Sequence, residues 1–131
     1  MIFLDTGYFV ALFTPDDRLH ERAAAWSLQL NEPTLVTEYI LWECVNAFSR
    51  PKDRASAHAL MAQIQSDPDC ELIHASLDLF SAGLQLHRAR PDKEWSLTDC
   101  ISFVVMQKER IREAVTGDKH FEQAGFVALL K

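Results

Sequence analysis

The sequence predicts an α/β fold in which helices cover both faces of a parallel sheet. Short apolar or β-branched runs alternate along its 131 residues with longer segments whose apolar residues recur at helical spacing. Strands that alternate with helices are joined by right-handed crossovers and therefore run parallel. The composition, 48% hydrophobic and 24% charged, is typical of a globular chain, and the length fits one domain over residues 1–131.

The first 50 residues predict two strands and three helices. The predicted strands are residues 2–4 and 34–37, and the predicted helices are residues 8–13, 20–30 and 38–50. Both strands are apolar or β-branched runs closed by polar residues. Pro15 breaks the first helix, and Pro51 is expected to end the third.

The rest of the chain predicts three more strands. These strands are residues 70–74, 112–116 and 126–130, and the helices around them are residues 55–65, 76–88, a helix opening at residue 96, and 121–124. Residues 89–95 are expected to form a polar loop. Residues 100–106 are apolar nearly all round, which predicts a buried helix.

Charge, cysteine content and the N-terminal sequence argue against several classes of protein. A net charge of −6 argues against a broad basic surface for nucleic acid, but a nuclease can gather several of these acids around bound cations. The three cysteines form no CxxC pair, so neither a disulfide framework nor a zinc site is indicated. The N-terminus lacks a basic leader, and no apolar run approaches the ~20 residues that span a bilayer, so a soluble cytoplasmic protein is expected.

Four acidic residues are predicted to meet at one edge of the sheet. Asp5 and Asp118 directly follow strands, while Glu43 and Asp99 lie early on helices. Ligands of such sheets bind beyond the carboxyl ends of the strands. Glu43 projects about 60° outside the apolar arc of its helix, so its side chain can reach a cleft at this edge.

A cluster of carboxylates predicts a metal site. Two carboxylates ~5 Å apart repel by ~3 kcal/mol at an effective dielectric near 20, so four are tolerable only with protons or a cation among them. Oxygen-only sites suit Mg²⁺ or Mn²⁺. Two acids would anchor a metal and the others hold a second metal or orient water, which predicts metal-assisted phosphodiester hydrolysis.

Each acid also has a purely structural explanation. Asp5 can cap the following helix, and Asp99 can complete a capping box with Ser96. Asp118 can be a turn acid and Glu43 a solvated helix residue. The meeting of four such residues at one sheet edge nevertheless favours a functional site over four separate structural roles.

Several basic side chains are candidates for RNA contact. They are Arg88, Arg90, Lys93, Lys119 and His120. The first three belong to the segment that leads into the helix bearing Asp99, and His120 lies two residues after Asp118. The other histidines are expected at the surface or rim.

With these residues in hand, the chain resembles a PIN domain, specifically the small single-domain toxins of the VapC type. The matching stretches are residues 3–6, 42–46, 96–103 and 116–126. The last two are specific in combination, and the resemblance runs from Ile2 to Leu130.

The resemblance implies a three-layer α/β/α sandwich with a five-stranded parallel sheet and an Mg²⁺- or Mn²⁺-dependent endoribonuclease. The implied acidic quartet is Asp5, Glu43, Asp99 and Asp118, with Asp5, Asp99 and Asp118 as metal ligands. Thr6 and Thr116 are supporting residues, Thr116 by positioning metal-bound water. A homodimer and a small VapB-like antitoxin that fills the cleft are also implied. Gly117 is expected to loosen the placement of Asp118.

Other functions fit the residues less well or remain open. A receiver domain needs paired acids after its first strand, where this chain has only Asp5. A haloacid-dehalogenase-type phosphatase needs a second Asp where Gly7 stands. A PIN nuclease outside a toxin–antitoxin system, or an RNA-binding interaction module, remains as the alternative.

Overall fold

The computed structural model describes residues 1–131 and contains one five-stranded sheet in the order β3-β2-β1-β4-β5, with every strand pair parallel. The elements in chain order are β1 (Ile2–Leu4), α1 (Thr6–Leu12), α2 (His20–Gln29), β2 (Thr34–Thr37), α3 (Glu38–Ala47), α4 (Arg54–Ser66), β3 (Cys70–Ile73), α5 (Leu77–Ala89), α6 (Leu97–Lys108), β4 (Glu113–Val115), α7 (Lys119–Gln123) and β5 (Val127–Ala128). The predicted fold class is confirmed.

The strand order places a switch point beside β1. The chain proceeds from β1 to β2 and β3 on one side and then returns to β4 and β5 on the other. Neighbouring crossovers that leave in opposite directions open a crevice at the carboxyl ends of the strands. The register pairs Phe3 with Ala114 and Leu4 with Val115, so the residues that follow β1 and β4 enter this crevice side by side.

Both faces of the central sheet are covered. Every residue of β1 and β2 is buried, although successive side chains of a strand point to opposite faces. On one side Phe103 of the buried helix α6 makes edge-on contacts with Trp95 and Phe121, each with ring centroids 5.0 Å apart. Such aromatic pairs contribute more to the stability of the core than their buried apolar area alone would.

Several element boundaries differ from the prediction. Helix α3 ends at Ala47, because Phe48 leaves helical geometry and its side chain is buried. Strand β5 spans only two residues, although Leu130 still donates its amide to the Thr116 carbonyl at 3.0 Å. Trp95 ends the predicted polar loop yet is 5% exposed, because its ring joins the aromatic core. None of the helices has the length and apolar content needed to cross a bilayer.

Candidate active site

A polar cleft of about 450 Å³ lies at the carboxyl ends of β1 and β4. The residues that line it are Asp5, Thr6, Gly7, Arg18, Leu19, Glu43, Glu94, Ser96, Asp99, Thr116, Gly117, Asp118 and His120. The four predicted acids therefore meet in one cavity, together with both predicted hydroxyl residues.

Asp5 lies at the buried floor of the cleft. Its Oδ2 accepts a hydrogen bond from Thr116 Oγ1 at 2.7 Å, a contact between the ends of two adjacent strands. The same Thr116 oxygen accepts the Asp118 amide at 3.1 Å. Asp5 occupies the N-cap position of α1 but makes no side-chain capping bond, so capping does not explain its carboxylate.

The surroundings of Asp5 favour its protonated form. Burial raises the pKa of this carboxyl from its ordinary 3.8 to about 7. Hydrogen bonds from Thr116 and from the Thr6 backbone oppose the rise, and the negative charges of Asp99 and Asp118 add to it. A cation in the cleft would reverse this balance by stabilising the carboxylate.

Glu43 is held in the cleft by a hydroxyl. Thr6, the first residue of α1, donates Oγ1 to Glu43 Oε1 at 2.6 Å. Helices α1 and α3 pack together at this point, so the bond fixes a partly exposed side chain at the rim. Thr6 therefore positions Glu43, while Thr116 positions Asp5.

Asp99 has a structural role and also faces the cleft. Its Oδ2 accepts the Ser96 amide at 3.1 Å, and the Ser96 hydroxyl accepts the Asp99 amide at 3.0 Å, which completes the capping box of α6. The same Oδ2 lies 2.9 Å from His120 Nδ1. Neither contact uses Oδ1, which remains available to a ligand.

Asp118 caps the short helix α7 by accepting the His120 amide at 2.9 Å. The residue before it, Gly117, was expected to loosen this position. The structure gives Gly117 a packing role, because a Cβ there would lie 2.8 Å from Leu19 Cδ1. Glycine thus lets the loop before α2 close against the cleft.

Of the basic residues predicted to contact RNA, only His120 lines the cleft. The other four lie outside its lining. Arg90 donates two hydrogen bonds to Asp92, both 3.1 Å, and its guanidinium lies 5.1 Å from the Trp95 ring centroid. Lys93 approaches Asp92 at 3.7 Å. Arg88 lies in the last turn of α5, and Lys119 is exposed.

Sequence reasoning missed two charged residues that line the cleft, Arg18 and Glu94. Arg18 is the one Lys or Arg in the lining, and it lies in the loop between α1 and α2. Asp17 Oδ1 accepts the Leu19 amide at 2.8 Å and so orders this loop. No local motif announces such a position, because it depends on the distant contact between Leu19 and Gly117.

The donor set fits a divalent cation. Ligand atoms of Asp99, Asp118 and His120 all lie within 4.8 Å of one another, a spacing one ion can bridge. Carboxylate oxygens are preferred ligands of Mg²⁺ and Mn²⁺. Burial raises the pKa of Asp5 most, and the charges of Asp99 and Asp118 add to the rise, so a cation in the cleft would favour its carboxylate form.

A parallel α/β sheet with clustered carboxylates at its carboxyl edge is the arrangement of an α/β nuclease domain. The chain belongs to the PIN domain family, whose family model matches residues 2–127. The sequence-based family assignment is confirmed.

Relatives with known functions resemble the whole chain. The 23S rRNA-specific endonuclease VapC20 of Mycobacterium tuberculosis, from strains CDC 1551 / Oshkosh and ATCC 25618 / H37Rv, is 30% identical over 129 residues, which cover 97% of this chain and 96% of the relative. These relatives are endonucleases, in agreement with the predicted enzyme class.

Solved structures show the same fold. The crystal structure of M. tuberculosis VapC20, described as a Sarcin-Ricin loop cleaving toxin, superposes with a TM-score of 0.89 at 27% identity, with 97% of each chain covered. FitAcB from Neisseria gonorrhoeae gives a TM-score of 0.72 at 17% identity, with 98% of this chain and 96% of that one covered, a similarity of fold alone.

Proposed function

We propose that this protein is an Mg²⁺- or Mn²⁺-dependent endoribonuclease and the toxin of a type II toxin–antitoxin pair. The observation that supports this most is the convergence of Asp5, Glu43, Asp99 and Asp118 in one cleft. They come from four separate segments of the chain, and helix capping accounts for only two of them, Asp99 and Asp118.

Asp5, Asp99 and Asp118 would hold the cation, which when bound supplies a Lewis acid and lowers the pKa of water. The chain's own groups then orient the reaction. Thr116 fixes the Asp5 carboxylate and Thr6 fixes Glu43 at the rim, where it can accept a proton from the attacking water. The cleft contains one histidine, so a pair of imidazoles for a cyclic phosphate route is absent.

The experiment that tests this function is RNA cleavage by wild type and Asp99→Asn in Mg²⁺ or Mn²⁺. Asparagine keeps a side-chain acceptor for the Ser96 amide, so α6 stays capped while an anionic ligand is lost. We expect at least ~100-fold slower cleavage, since such losses follow removal of one stabilising group. Wild-type products should carry 5′-phosphate and 3′-hydroxyl ends.

Asp69→Asn is the matched control, because Asp69 is exposed directly before β3, at the opposite end of the strand from the cleft. It should cleave like wild type. Near wild-type turnover of Asp99→Asn at saturating metal, activity in excess chelator, or cyclic phosphate ends would contradict the mechanism.

We extend the proposal to the substrate: a structured ribosomal RNA loop. The support is the relative named for 23S rRNA, which matches nearly the whole of this chain. Cleavage of a sarcin-ricin loop oligonucleotide should exceed that of a stem-loop of equal length and unrelated sequence. Equal cleavage rates on the two RNAs would contradict the proposed substrate preference but not the proposed nuclease activity.

The proposed partners are a small antitoxin and a second copy of the chain, acting in the cytoplasm where the RNA is. An acidic cleft suits an antitoxin arginine, whose guanidinium can bond a carboxylate with two parallel hydrogen bonds. The large exposed apolar side chains Trp42 (66%) on α3 and Leu77 (78%) on α5 support a dimer. Tyr39 joins these helices by bonding Ser76 at 3.0 Å.

The alternative function is an RNA-binding module that does not cleave. It would bind the RNA loop in the presence of metal and release it intact. The cleavage assay separates the two, provided that binding is measured on the same RNA.

A further inference from the structure

His120 reaches the centre of the acidic cleft with its imidazole nitrogen. Nδ1 lies 2.9 Å from Asp99 Oδ2 and 3.4 Å from Asp118 Oδ1. The ring is largely shielded, with a side-chain exposure of 18%, and that of Asp99 is 14%. No other histidine lines this cavity.

These spacings are those of ligands around one octahedral ion. At metal–ligand distances of 2.0–2.1 Å, as for Mg²⁺, adjacent ligand atoms are about 3 Å apart and opposite ones about 4 Å. The two distances from Nδ1 correspond to adjacent positions, and all three ligand atoms lie within 4.8 Å of one another. One cation can therefore touch both carboxylates and the ring with small adjustments.

The backbone holds the ring in this place. The His120 amide donates to Asp118 Oδ1 at 2.9 Å, which ties the two residues together at the start of α7. The next side chain, Phe121, is fully buried against Phe103 and Phe3 and anchors the helix. A ligand fixed in this way loses little conformational freedom when a cation binds.

We propose that His120 Nδ1 is a nitrogen ligand of the divalent cation, alongside Asp99 and Asp118, and that it gives the site a preference for Mn²⁺ over Mg²⁺. This rests on the proposed function, since it takes the cleft to be the cation site. Imidazole suits transition metals, whereas Mg²⁺ prefers oxygen ligands.

Binding requires Nδ1 to give up its hydrogen. A carboxylate oxygen can only accept, so the short contact with Asp99 places a hydrogen on Nδ1 in the metal-free protein. A ring that binds the cation through Nδ1 carries its hydrogen on Nε2 instead. The bond between Nδ1 and Asp99 is thus exchanged for two bonds to the ion.

Pulsed electron paramagnetic resonance of the Mn²⁺ complex tests the proposal directly, because a coordinated imidazole nitrogen couples to the electron spin. Wild type should show this ¹⁴N modulation, and His120→Asn, which offers an oxygen instead, should lose it. The Mn²⁺ over Mg²⁺ affinity ratio, from calorimetric titrations, should fall at least ~10-fold, the lower end of losses seen for groups that support a ligand. His58→Asn, at an exposed position on α4, is the control and should match wild type.

The outcomes separate the two proposals. Mn²⁺ binding that depends on Asp99 but shows no nitrogen coupling in wild type overturns the role of His120 and leaves the metal-dependent nuclease intact. An unchanged affinity ratio in His120→Asn, with its metal-free melting temperature preserved, does the same. Mn²⁺ binding that Asp99→Asn does not weaken overturns both.

Discussion

Replacing Asp5 by asparagine should stabilise the metal-free protein at neutral and alkaline pH. Asp5 is 7% exposed, and its pKa is about 7 in the folded chain against an ordinary 3.8. At pH values between 3.8 and about 7, the folded state therefore holds a proton that the unfolded state has released. Stability falls as pH rises through this interval, because the folded state binds more protons there.

The size of the stability difference follows from the gap between the folded and unfolded pKa values of Asp5. At ~1.4 kcal/mol per pH unit, the raised pKa of Asp5 costs the folded chain ~4 kcal/mol by pH 8, ~1 kcal/mol at pH 4.5, and nothing below about pH 3, where both states are protonated. Asparagine avoids this cost and still accepts a hydrogen bond from Thr116. We expect Asp5→Asn to be ~3–4 kcal/mol more stable than wild type at pH 8, and the difference to shrink to ~1 kcal/mol at pH 4.5.

Urea unfolding in excess chelator, at intervals from pH 4.5 to pH 8.5, measures the difference between the two proteins. Asp16→Asn, at an exposed acid outside the cleft lining, should follow the wild-type curve at every pH. A gap between wild type and Asp5→Asn that stays constant with pH would refute the reasoning, since only a carboxyl that titrates with its pKa raised by burial makes the gap grow.

Three further outcomes are expected. Mn²⁺ at 100 times its dissociation constant should stabilise wild type by ~2.7 kcal/mol, and Asp5→Asn should lose most of this gain; an equal gain would place the cation elsewhere. Arg18→Gln should weaken RNA binding and lower the slope of log affinity against log salt by about one, whereas Arg54→Gln on α4 should not; equal slopes would remove Arg18 from the phosphate path. Trp42→Ala should shift the protein towards monomer in light scattering, and Leu28→Ala, at a still more exposed apolar position on α2, should not; a dimer that survives Trp42→Ala would locate the interface elsewhere.

Patterns within a few neighbouring residues were enough to predict several strands and one helix cap. Strands β1 and β2 lie where apolar runs end at polar residues, and the Ser96-x-x-Asp99 pattern predicted the capping box that the structure contains. The meeting of the acids followed from the alternation of strands with helices and from the rule that ligands bind at the carboxyl edge of a parallel sheet. What the capping pattern did not reveal is that one carboxylate serves both the helix and the cleft.

The missed features depend on contacts between distant segments. Arg18 enters the cleft because Leu19 packs against Gly117, and neither residue carries a recognisable motif. Trp95 follows a polar stretch, yet its indole bonds Gln123 at 3.0 Å and packs on Phe103. Periodicity reports which face of an element is apolar, but not which remote segment covers it.

The hydrogen bond between Asp5 and Thr116 joins residues 111 positions apart. One half of the cleft is encoded before residue 50, and the other half after residue 90, so a ribosome must synthesise nearly the whole chain before the two can meet. A growing or truncated chain that stops short of β4 carries the first acids on an unfinished sheet, with no neighbouring strand to complete their surroundings. Such a chain lacks the complete cleft, so the activity proposed for this cleft can begin only after synthesis has passed Asp118.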